Sequence, residues 1–198
     1  MWALVEDNII TKIINQPKGM VIGDIRYSRK IFELWSEEEL NNVGLYSVIF
    51  DDSNKRNEEF YINTNQSFNY ADGQVTASYG TATPKQLEDR NEVDEAGEPL
   101  LDDNGDQIVT KGLKTIKKEI VKKQADTELS KTDWYVVRKA DDGTLIPSAI
   151  TEHRTAVRNK SNEMETAINN ALDIDALASL YIYTDGERPL GEFPTLEI

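Results

Sequence analysis

The first 80 residues alternate short apolar runs with polar turn residues, a pattern typical of β-strands. Residues 3–5 and 9–14 flank the turn pair Asp7-Asn8, which predicts a β-hairpin. Further short strands are predicted, bounded by Asp, Asn, Ser and Gly residues, at 46–50, 59–62, 67–70 and 74–79. This region is therefore expected to be antiparallel and β-rich.

One short helix is predicted to interrupt the β-rich region. Ser36 can cap its N-terminus, Glu39 lies three residues on as in a capping box, and Gly44 ends it. Trp35 and Leu40 fit a hydrophobic staple across the start of this helix. Trp35 is therefore expected to be a packing anchor, with an interface role as the alternative.

Residues 83–111 form an acidic arm or linker between two other regions. Nine acidic and two basic residues give residues 83–110 a net charge of −7. Residues 94–101 and 102–109 repeat one eight-residue pattern, in which an acidic turn is followed by a glycine, an acid and then two apolar residues. The repeat predicts two β-turns that feed short strands in a small hairpin, and a partly ordered loop is the alternative.

From Gly112 the apolar period becomes helical. A basic helix is predicted to run to about Leu129, with an apolar face formed by Leu113, Ile116, Ile120 and Val121. A second helix is predicted from Ser148 to about Leu172, and a third, capped by Asp173, over residues 174–181. Residues 134–138 are predicted to be extended, followed by a tight turn at 141–144, and the tail from Asp185 is also expected to be extended.

These elements predict an α+β protein with three regions. Residues 1–82 form an N-terminal antiparallel β-rich domain with one short helix, and residues 83–111 form the acidic arm. Residues 112–198 form a helical hairpin with a short third helix and an extended tail. A chain of 198 residues is long enough to bury a sizeable core without disulfides, and it contains no cysteine.

The net charge of −14 argues against binding to nucleic acid or to anionic membrane surfaces. No apolar run approaches the roughly 20 residues of a membrane span, and the opening residues lack the basic segment of a signal peptide. The lysines of residues 111–126, a stretch with a net charge of +4, are interpreted as the solvated face of an amphipathic helix or as partners of the acidic segment before them.

No catalytic, cofactor-binding or metal-binding site is predicted. The one histidine, His153, is five residues from Ser148, a spacing that does not place the two on one helix face. The acidic repeats miss the ligand pattern of an EF-hand loop, and both glycine-rich phosphate-binding motifs are absent.

Two segments resemble bacteriophage proteins associated with tail fibres or tail assembly. The opening residues 2–14 are similar to the start of tail-fibre-associated proteins. The second segment, Thr132-Asp133-Trp134 followed by Pro147 and by residues 153–158, is similar to the family pattern T-D-W…P…Y-R-x-x-L-R. His153 stands where that pattern has Tyr, and Val157 where it has Leu. Residues 1–80 and 110–198 as a whole resemble a family of marine phage proteins.

The resemblance implies a virion or assembly role, with no catalytic residue to carry over. It makes four positions architectural or interface candidates: Asp133 as a helix cap, Trp134 as an anchor packed against the helices, and Arg154 and Arg158 one turn apart on one helix face.

We expect a structural protein of the phage tail or tail fibre, made in the host cytoplasm and retained in the virion. Its expected partners are other tail or fibre proteins, as a homo-oligomer or a symmetric mount on a larger protein. The alternatives are a tail-fibre assembly chaperone that leaves the particle, a carbohydrate-binding module that uses the aromatic residues of the β-rich region, and an enzyme.

Overall fold

The computed structural model describes residues 1–196, so the last two residues of the predicted region 112–198 lie outside the described residues. The chain divides into two compact units, the first comprising Met1–Thr83 and the second beginning at Pro84. The mixed α+β class is confirmed, with a β-rich N-terminal part and a helical C-terminal part.

The first unit is built on a five-stranded sheet. Its strands lie in the order β2 (Ile9–Ile14), β1 (Trp2–Glu6), β5 (Leu45–Asp51), β8 (Gln74–Ser78) and β7 (Ser67–Ala71). Its hairpin of β1 and β2 turns through Asp7 and Asn8, both at positive φ, as the Asp-Asn pair predicted. The other strands in and around this unit are β3 (Met20–Ile22), β4 (Ile25–Tyr27), β6 (Tyr61–Ile62) and β9 (Thr83–Pro84).

The prediction of an all-antiparallel sheet is wrong at one position, because β5 and β8 pair in parallel. Strand β7 lies between β5 and β8 in sequence and pairs on the far side of β8. The pattern of short apolar runs does not predict this crossover, since pairing partners are chosen by long-range packing.

Both faces of β1 are covered, which explains its continuous apolar run. Leu4 belongs to a core cluster with Ile14, Leu40 and Leu45, whereas Ala3 and Val5 belong to a second cluster on the opposite face. A shift of register opposite Leu4 and Val5 places an extra residue, Thr11, in β2. Because of this shift, residues 10 and 13 both pack against the cluster that contains Ala3 and Val5.

The helix predicted after Ser36 is present as α2 (Glu37–Asn42), and a further short helix that was not predicted, α1 (Ile31–Leu34), precedes it. The capping box of Ser36 and Glu39 is present, and the hydrogen bond from the Ser36 backbone N–H lowers the pKa of Glu39. Trp35 is half-buried against the cluster that contains Leu40, in agreement with the staple. Gly44 has a φ of 82°, and a β-carbon there would lie 2.5 Å from the Val5 carbonyl oxygen, so glycine is required.

The second unit begins with two short strands, β10 (Arg90–Asn91) and β11 (Val109–Thr110), followed by four helices. They are α3 (Leu113–Ser130), α4 (Asp133–Asp142), α5 (Ser148–Asn170) and α6 (Ile174–Ser179). Helices α3 and α5 pack along each other. They run antiparallel, because the Leu129 carbonyl meets Arg154 while Lys122 meets Glu165.

The predicted extended segment at 134–138 is wrong, because these residues form α4. The β-branched pair Val136-Val137 and the neighbouring aromatic residues favour a strand by propensity. The helix is ended by Gly143 in the left-handed conformation, and the Gly143 N–H donates to the Lys139 carbonyl.

The apolar face predicted for α3 is only partly correct. Leu113 and Val121 are buried, but Ile116 and Ile120 are 38% and 43% exposed. Lys114 and Lys117 are buried instead, so the lysines of α3 do not form one solvated face. No helix in residues 1–196 combines the length and the apolar character that crossing a membrane requires.

Candidate protein interaction site

Arg154 of α5 joins the end of α3 to the start of α4. Its Nη1 lies 2.7 Å from the Leu129 carbonyl oxygen, 2.7 Å from the Thr132 hydroxyl and 2.8 Å from an Asp133 carboxylate oxygen. The Arg154 side chain is 11% exposed and Thr132 is fully buried. One guanidinium thus fixes the direction in which α4 leaves α3.

Asp133 does not cap α4 through its side chain, contrary to the prediction. Thr132 is the N-cap residue, Asp133 is the first residue of the helix, and no side chain at this cap bonds to the helix N–H groups. The Asp133 carboxylate accepts from Arg154 instead. Its negative charge in the first turn also suits the positive end of the helix dipole.

Helix α4 displays apolar side chains to solvent. None of the ten residues of Asp133–Asp142 is buried. Trp134 is 52% exposed, Val136 is 42% exposed and Val137 is 66% exposed. The prediction that Trp134 is a core anchor is therefore wrong. The sequence motif locates the junction correctly but not the side of the helix that faces outward.

The Trp134 ring is held by its neighbours on the helix. The Arg138 guanidinium lies 4.5 Å from the Trp134 ring centre, and the rings of Trp134 and Tyr135 are 4.2 Å apart. The Arg138 Nε is buried and has no hydrogen-bond partner among the described residues. Tryptophan, tyrosine and arginine together are the composition that dominates binding energy at protein interfaces.

Arg158 lies one turn beyond Arg154, as the spacing predicts. Unlike Arg154, it is exposed. Its Nη1 makes a long 3.4 Å hydrogen bond to the Arg154 carbonyl. Its side chain lines a shallow open groove between α3 and α5 with Lys122 and Ser161. The structure therefore brings Arg154, Asp133 and Trp134 to one junction and leaves Arg158 at the edge of it.

His153 is buried on α5, and its Nε2 has no hydrogen-bond partner among the described residues. The neighbours of His153 in the buried line of α5 are Ile150 and Val157. Within residues 1–196, no group of three or more His, Cys, Asp or Glu side chains is placed to hold a metal ion.

The acidic repeats form the two predicted β-turns. Asp94 accepts hydrogen bonds from the N–H groups of residues 96 and 98 at 2.8 and 2.9 Å, and Asp102 accepts from residues 104 and 106 at the same distances. The hydrogen bond from the Asp106 N–H is the main reason that the pKa of Asp102 is lowered. These carboxylates thus stabilise their own turns.

Residues 90–110 close into a three-sided element, here named the β-triangle. Its sides pair through three antiparallel bridges, Val93 with Pro99, Leu101 with Gln107 and Asn91 with Val109. Three backbone hydrogen bonds also close a ring, from Leu100 to Glu92, from Ile108 to Leu100 and from Glu92 to Ile108. These ring positions are eight residues apart, so the sequence repeat produces an approximate threefold arrangement.

The Gln107 side chain fills the centre of the β-triangle. Its Nε2 lies 2.7 Å from the Glu92 carbonyl oxygen, 3.0 Å from that of Leu100 and 3.1 Å from that of Ile108. Sequence reasoning missed this role, because a single glutamine in an acidic segment carries no signal of its own.

Changing Gln107 to Glu is expected to loosen the β-triangle, because a carboxylate oxygen would then face three carbonyl oxygens. Amide hydrogen exchange at residues 92, 100 and 108 should become at least roughly tenfold faster, which corresponds to about 1.4 kcal/mol or more. Gln124→Glu, the same change at an exposed position of α3, is the control and should leave these amides unaffected. Unchanged exchange in Gln107→Glu would show that the amide is not needed.

The N-terminus of α3 is capped from a distance. One Asp89 carboxylate oxygen accepts from the Gly112 N–H at 2.8 Å and the other from the Thr115 hydroxyl at 3.0 Å. The N–H groups of Leu113 and Lys114 donate to the carbonyls of residues 86 and 87. All the N–H groups named here are ones that a helix start leaves unsatisfied.

This cap makes a pH-dependent contribution to stability. The hydrogen bond from the Gly112 N–H, followed by that from Thr115, holds the pKa of Asp89 below its usual 3.8. A lowered folded-state pKa gives stability that is complete above the usual value and is lost as pH falls through the folded-state pKa. The unfolding free-energy difference between wild type and Asp89→Asn should therefore shrink from about pH 7 to about pH 3 in urea titrations. A constant difference would contradict this assignment.

No family model matches the chain, and neither the curated proteins nor the solved structures contain a match.

Proposed function

We propose that this protein is a non-enzymatic structural component of a phage tail or tail-fibre apparatus. It is made in the host cytoplasm, is retained in the virion and acts through contacts with other tail or fibre proteins. The observation that carries the proposal is the exposure of Trp134, Val136 and Val137 on α4, a helix in which no residue is buried. The resemblance of residues 132–134 and 153–158 to tail assembly proteins supports the assignment to phage.

The structure of the α4 junction favours recognition of a protein surface. Exposed Trp134 and Val137 on one short helix form a patch whose burial by a partner is favourable. Because Arg154 ties the helix to the buried Thr132 and to the Leu129 carbonyl, the patch is held in place before a partner binds. Little ordering entropy is then lost on association.

The β-triangle offers a second contact surface. Val93 and Leu101 are 52% and 57% exposed, and Val109 is 43% exposed, at equivalent positions of its three sides. Acidic turns surround them, so this surface fits a partner with basic residues around an apolar centre.

A tail-fibre assembly chaperone is the second candidate, because the same surfaces would serve a transient partner. The presence or absence of the chain in mature particles separates the two functions. The carbohydrate-binding alternative is favoured less, since Tyr46, Phe68 and Tyr70 pack against a core cluster, and the Tyr70 hydroxyl donates to that of Tyr46 at 3.0 Å.

The proposal is tested by supplying variants to a phage that lacks its own copy of the gene. Val137→Asp places a charge on the α4 face and should reduce the amount of this chain in purified particles at least roughly tenfold. Leu145→Asp is the matched control, because Leu145 is 78% exposed in the same unit but lies beyond the helix. Equal incorporation of both variants would contradict a role for the α4 face.

A further inference from the structure

Trp134, Val137 and Arg138 lie on one side of α4. Val137 comes three residues after Trp134 and Arg138 comes four residues after it, the spacings at which side chains on a helix are neighbours. Trp134 and Val137 are 52% and 66% exposed, and Arg138 is half-buried. This side of the helix therefore presents an aromatic ring and an aliphatic side chain next to one cation.

The Arg138 guanidinium is held in place but has no anion to bind. Its central carbon lies 4.5 Å from the Trp134 ring centre and 5.5 Å from that of Tyr135. Arg154 and Arg188 of the same unit each pair with a carboxylate. Among residues 1–196, Arg138 has no carboxylate within ion-pair distance, and its buried Nε has no hydrogen-bond acceptor. A partly desolvated cation without an anion is unfavourable, so this side of α4 favours a partner that supplies one.

The acid at the right spacing on α4 is engaged elsewhere. Asp142 lies four residues after Arg138, but its carboxylate accepts from the Thr144 backbone N–H at 2.8 Å. The Thr144 hydroxyl is the main reason that the pKa of Asp142 is lowered, followed by that N–H, and the charge of Arg138 is the smallest cause. Arg138 thus keeps donors that no acid of its own helix uses.

We propose that this side of α4 binds an acidic site on another protein, in which a carboxylate receives Arg138 and an adjoining apolar surface packs on Trp134 and Val137. The inference rests on the proposed function, since both take α4 to be a protein contact, and it adds the chemistry of the partner. The planar guanidinium matches a carboxylate, which it can bind through two parallel hydrogen bonds.

Two properties of the chain support a protein as the source of the carboxylate. The net charge of −14 disfavours the phosphates of nucleic acids and of anionic membranes. The exposed Trp134 ring and Val137 side chain require an apolar surface beside the anion. Because the rings already hold the Arg138 guanidinium, little of its side-chain freedom is left to lose on binding.

The first test removes the charge of Arg138 in the full-length chain. Variants are supplied in cells infected by a phage that lacks its own copy of the gene, and quantitative mass spectrometry measures the fraction of the chain that is bound to other tail proteins. Arg138→Gln should lower this fraction at least roughly tenfold, because losing one side of an interfacial charge pair costs at least that much. Arg138→Lys should fall between it and the wild type, since an ammonium keeps only the charge.

Lys139→Gln is the matched control. It removes one positive charge at the next position of the same helix, where the exposed Lys139 side chain points about 100° away from that of Arg138. The bound fraction should then change less than roughly twofold, as for a charge outside the contact. All three variants should keep the helical circular dichroism of the wild type. Equal losses in Arg138→Gln and Lys139→Gln would overturn the proposal.

Cross-linking identifies the carboxylate itself. A photoreactive residue in place of Val137 should attach to a peptide of the partner that contains Asp or Glu. Changing that acid to Arg should raise the bound fraction of Arg138→Glu at least roughly fivefold, because the two charges are exchanged. A cross-linked peptide without an acid, or failure of every acid in it to rescue Arg138→Glu, would overturn the proposal.

The outcomes separate this inference from the proposed function. Loss of binding in Val137→Asp but not in Arg138→Gln would refute the acidic partner and leave the α4 contact standing. Binding that depends on Arg138 in infected cells, by a chain that is absent from purified particles, would support the acidic partner and contradict the structural role. A wild-type chain that is bound to no other protein would overturn both.

Discussion

Replacing Arg154 with alanine is expected to lower the free energy of unfolding of the second unit by about 3 kcal/mol. The change removes one guanidinium from three acceptors and leaves the Leu129 carbonyl and the fully buried Thr132 hydroxyl without this donor. Hydrogen bonds to charged groups are the stronger kind, and the Asp133 carboxylate also loses its ion-pair partner. Urea unfolding followed by helical circular dichroism measures the loss.

Arg158→Ala is the matched control, because it removes the same side chain one turn away on the same helix. Arg158 is exposed and makes a long 3.4 Å hydrogen bond, so we expect a loss below about 0.5 kcal/mol. Arg154→Lys should fall between the two, since an ammonium keeps the charge but not the planar donor geometry. Similar losses for Arg154→Ala and Arg158→Ala would contradict the role assigned to Arg154.

Replacing Gly112 with alanine is expected to have the second large effect. A β-carbon there would collide with the Glu88 carbonyl group and would lie 2.5 Å from the Leu87 carbonyl oxygen. Both carbonyl groups belong to backbone that also supplies the cap of α3, so neither can move without breaking hydrogen bonds. We expect a loss of about 3 kcal/mol or more in the free energy of unfolding.

Gly19→Ala is the control for this substitution. A β-carbon at Gly19 would meet the Tyr27 carbonyl oxygen at 3.4 Å, an ordinary contact, and its φ is not positive. Its stability should change by less than about 1 kcal/mol. Were Gly112→Ala as stable as Gly19→Ala, the close packing of residues 87–88 against the start of α3 would be refuted.

The parts of the fold that were predictable from sequence depend on residues close together in the chain. The Asp7-Asn8 hairpin, the Ser36–Glu39 capping box and the paired acidic turns each follow from local turn or cap chemistry. In α5, Ile150, Val157 and Met164 recur every seven residues, and this spacing in the sequence matches the buried line of the helix.

The features that sequence reasoning missed depend on contacts between distant residues. Asp89 caps a helix whose N-cap residue, Gly112, lies 23 positions later, and Lys117 is buried with its ammonium over the Tyr181 ring. A lysine in a periodic pattern is read as exposed, although its long apolar stem can cross buried surface. The aromatic and β-branched residues of α4 favour a strand by propensity. These residues nevertheless form a helix, which contacts Arg154 at its start and ends at Gly143.

The sequence indicated which residues take part in the candidate site, but it did not indicate which of their side chains are exposed. The Thr132-Asp133-Trp134 motif and Arg154 meet at one junction, where the resemblance placed them. Their roles differ from the prediction, because Asp133 binds the arginine instead of capping the helix and Trp134 faces solvent. A composition that predicts burial is thus found on a helix that the structure leaves exposed.

The most direct test of the proposed phage role is quantitative mass spectrometry of gradient-purified phage particles from a host culture that produces this chain. A structural tail or fibre protein should be present at a constant ratio to the other tail proteins, and the ratio should not change on further purification. A chain that is abundant in infected cells but absent from the purified particles would contradict the structural role and favour the assembly chaperone.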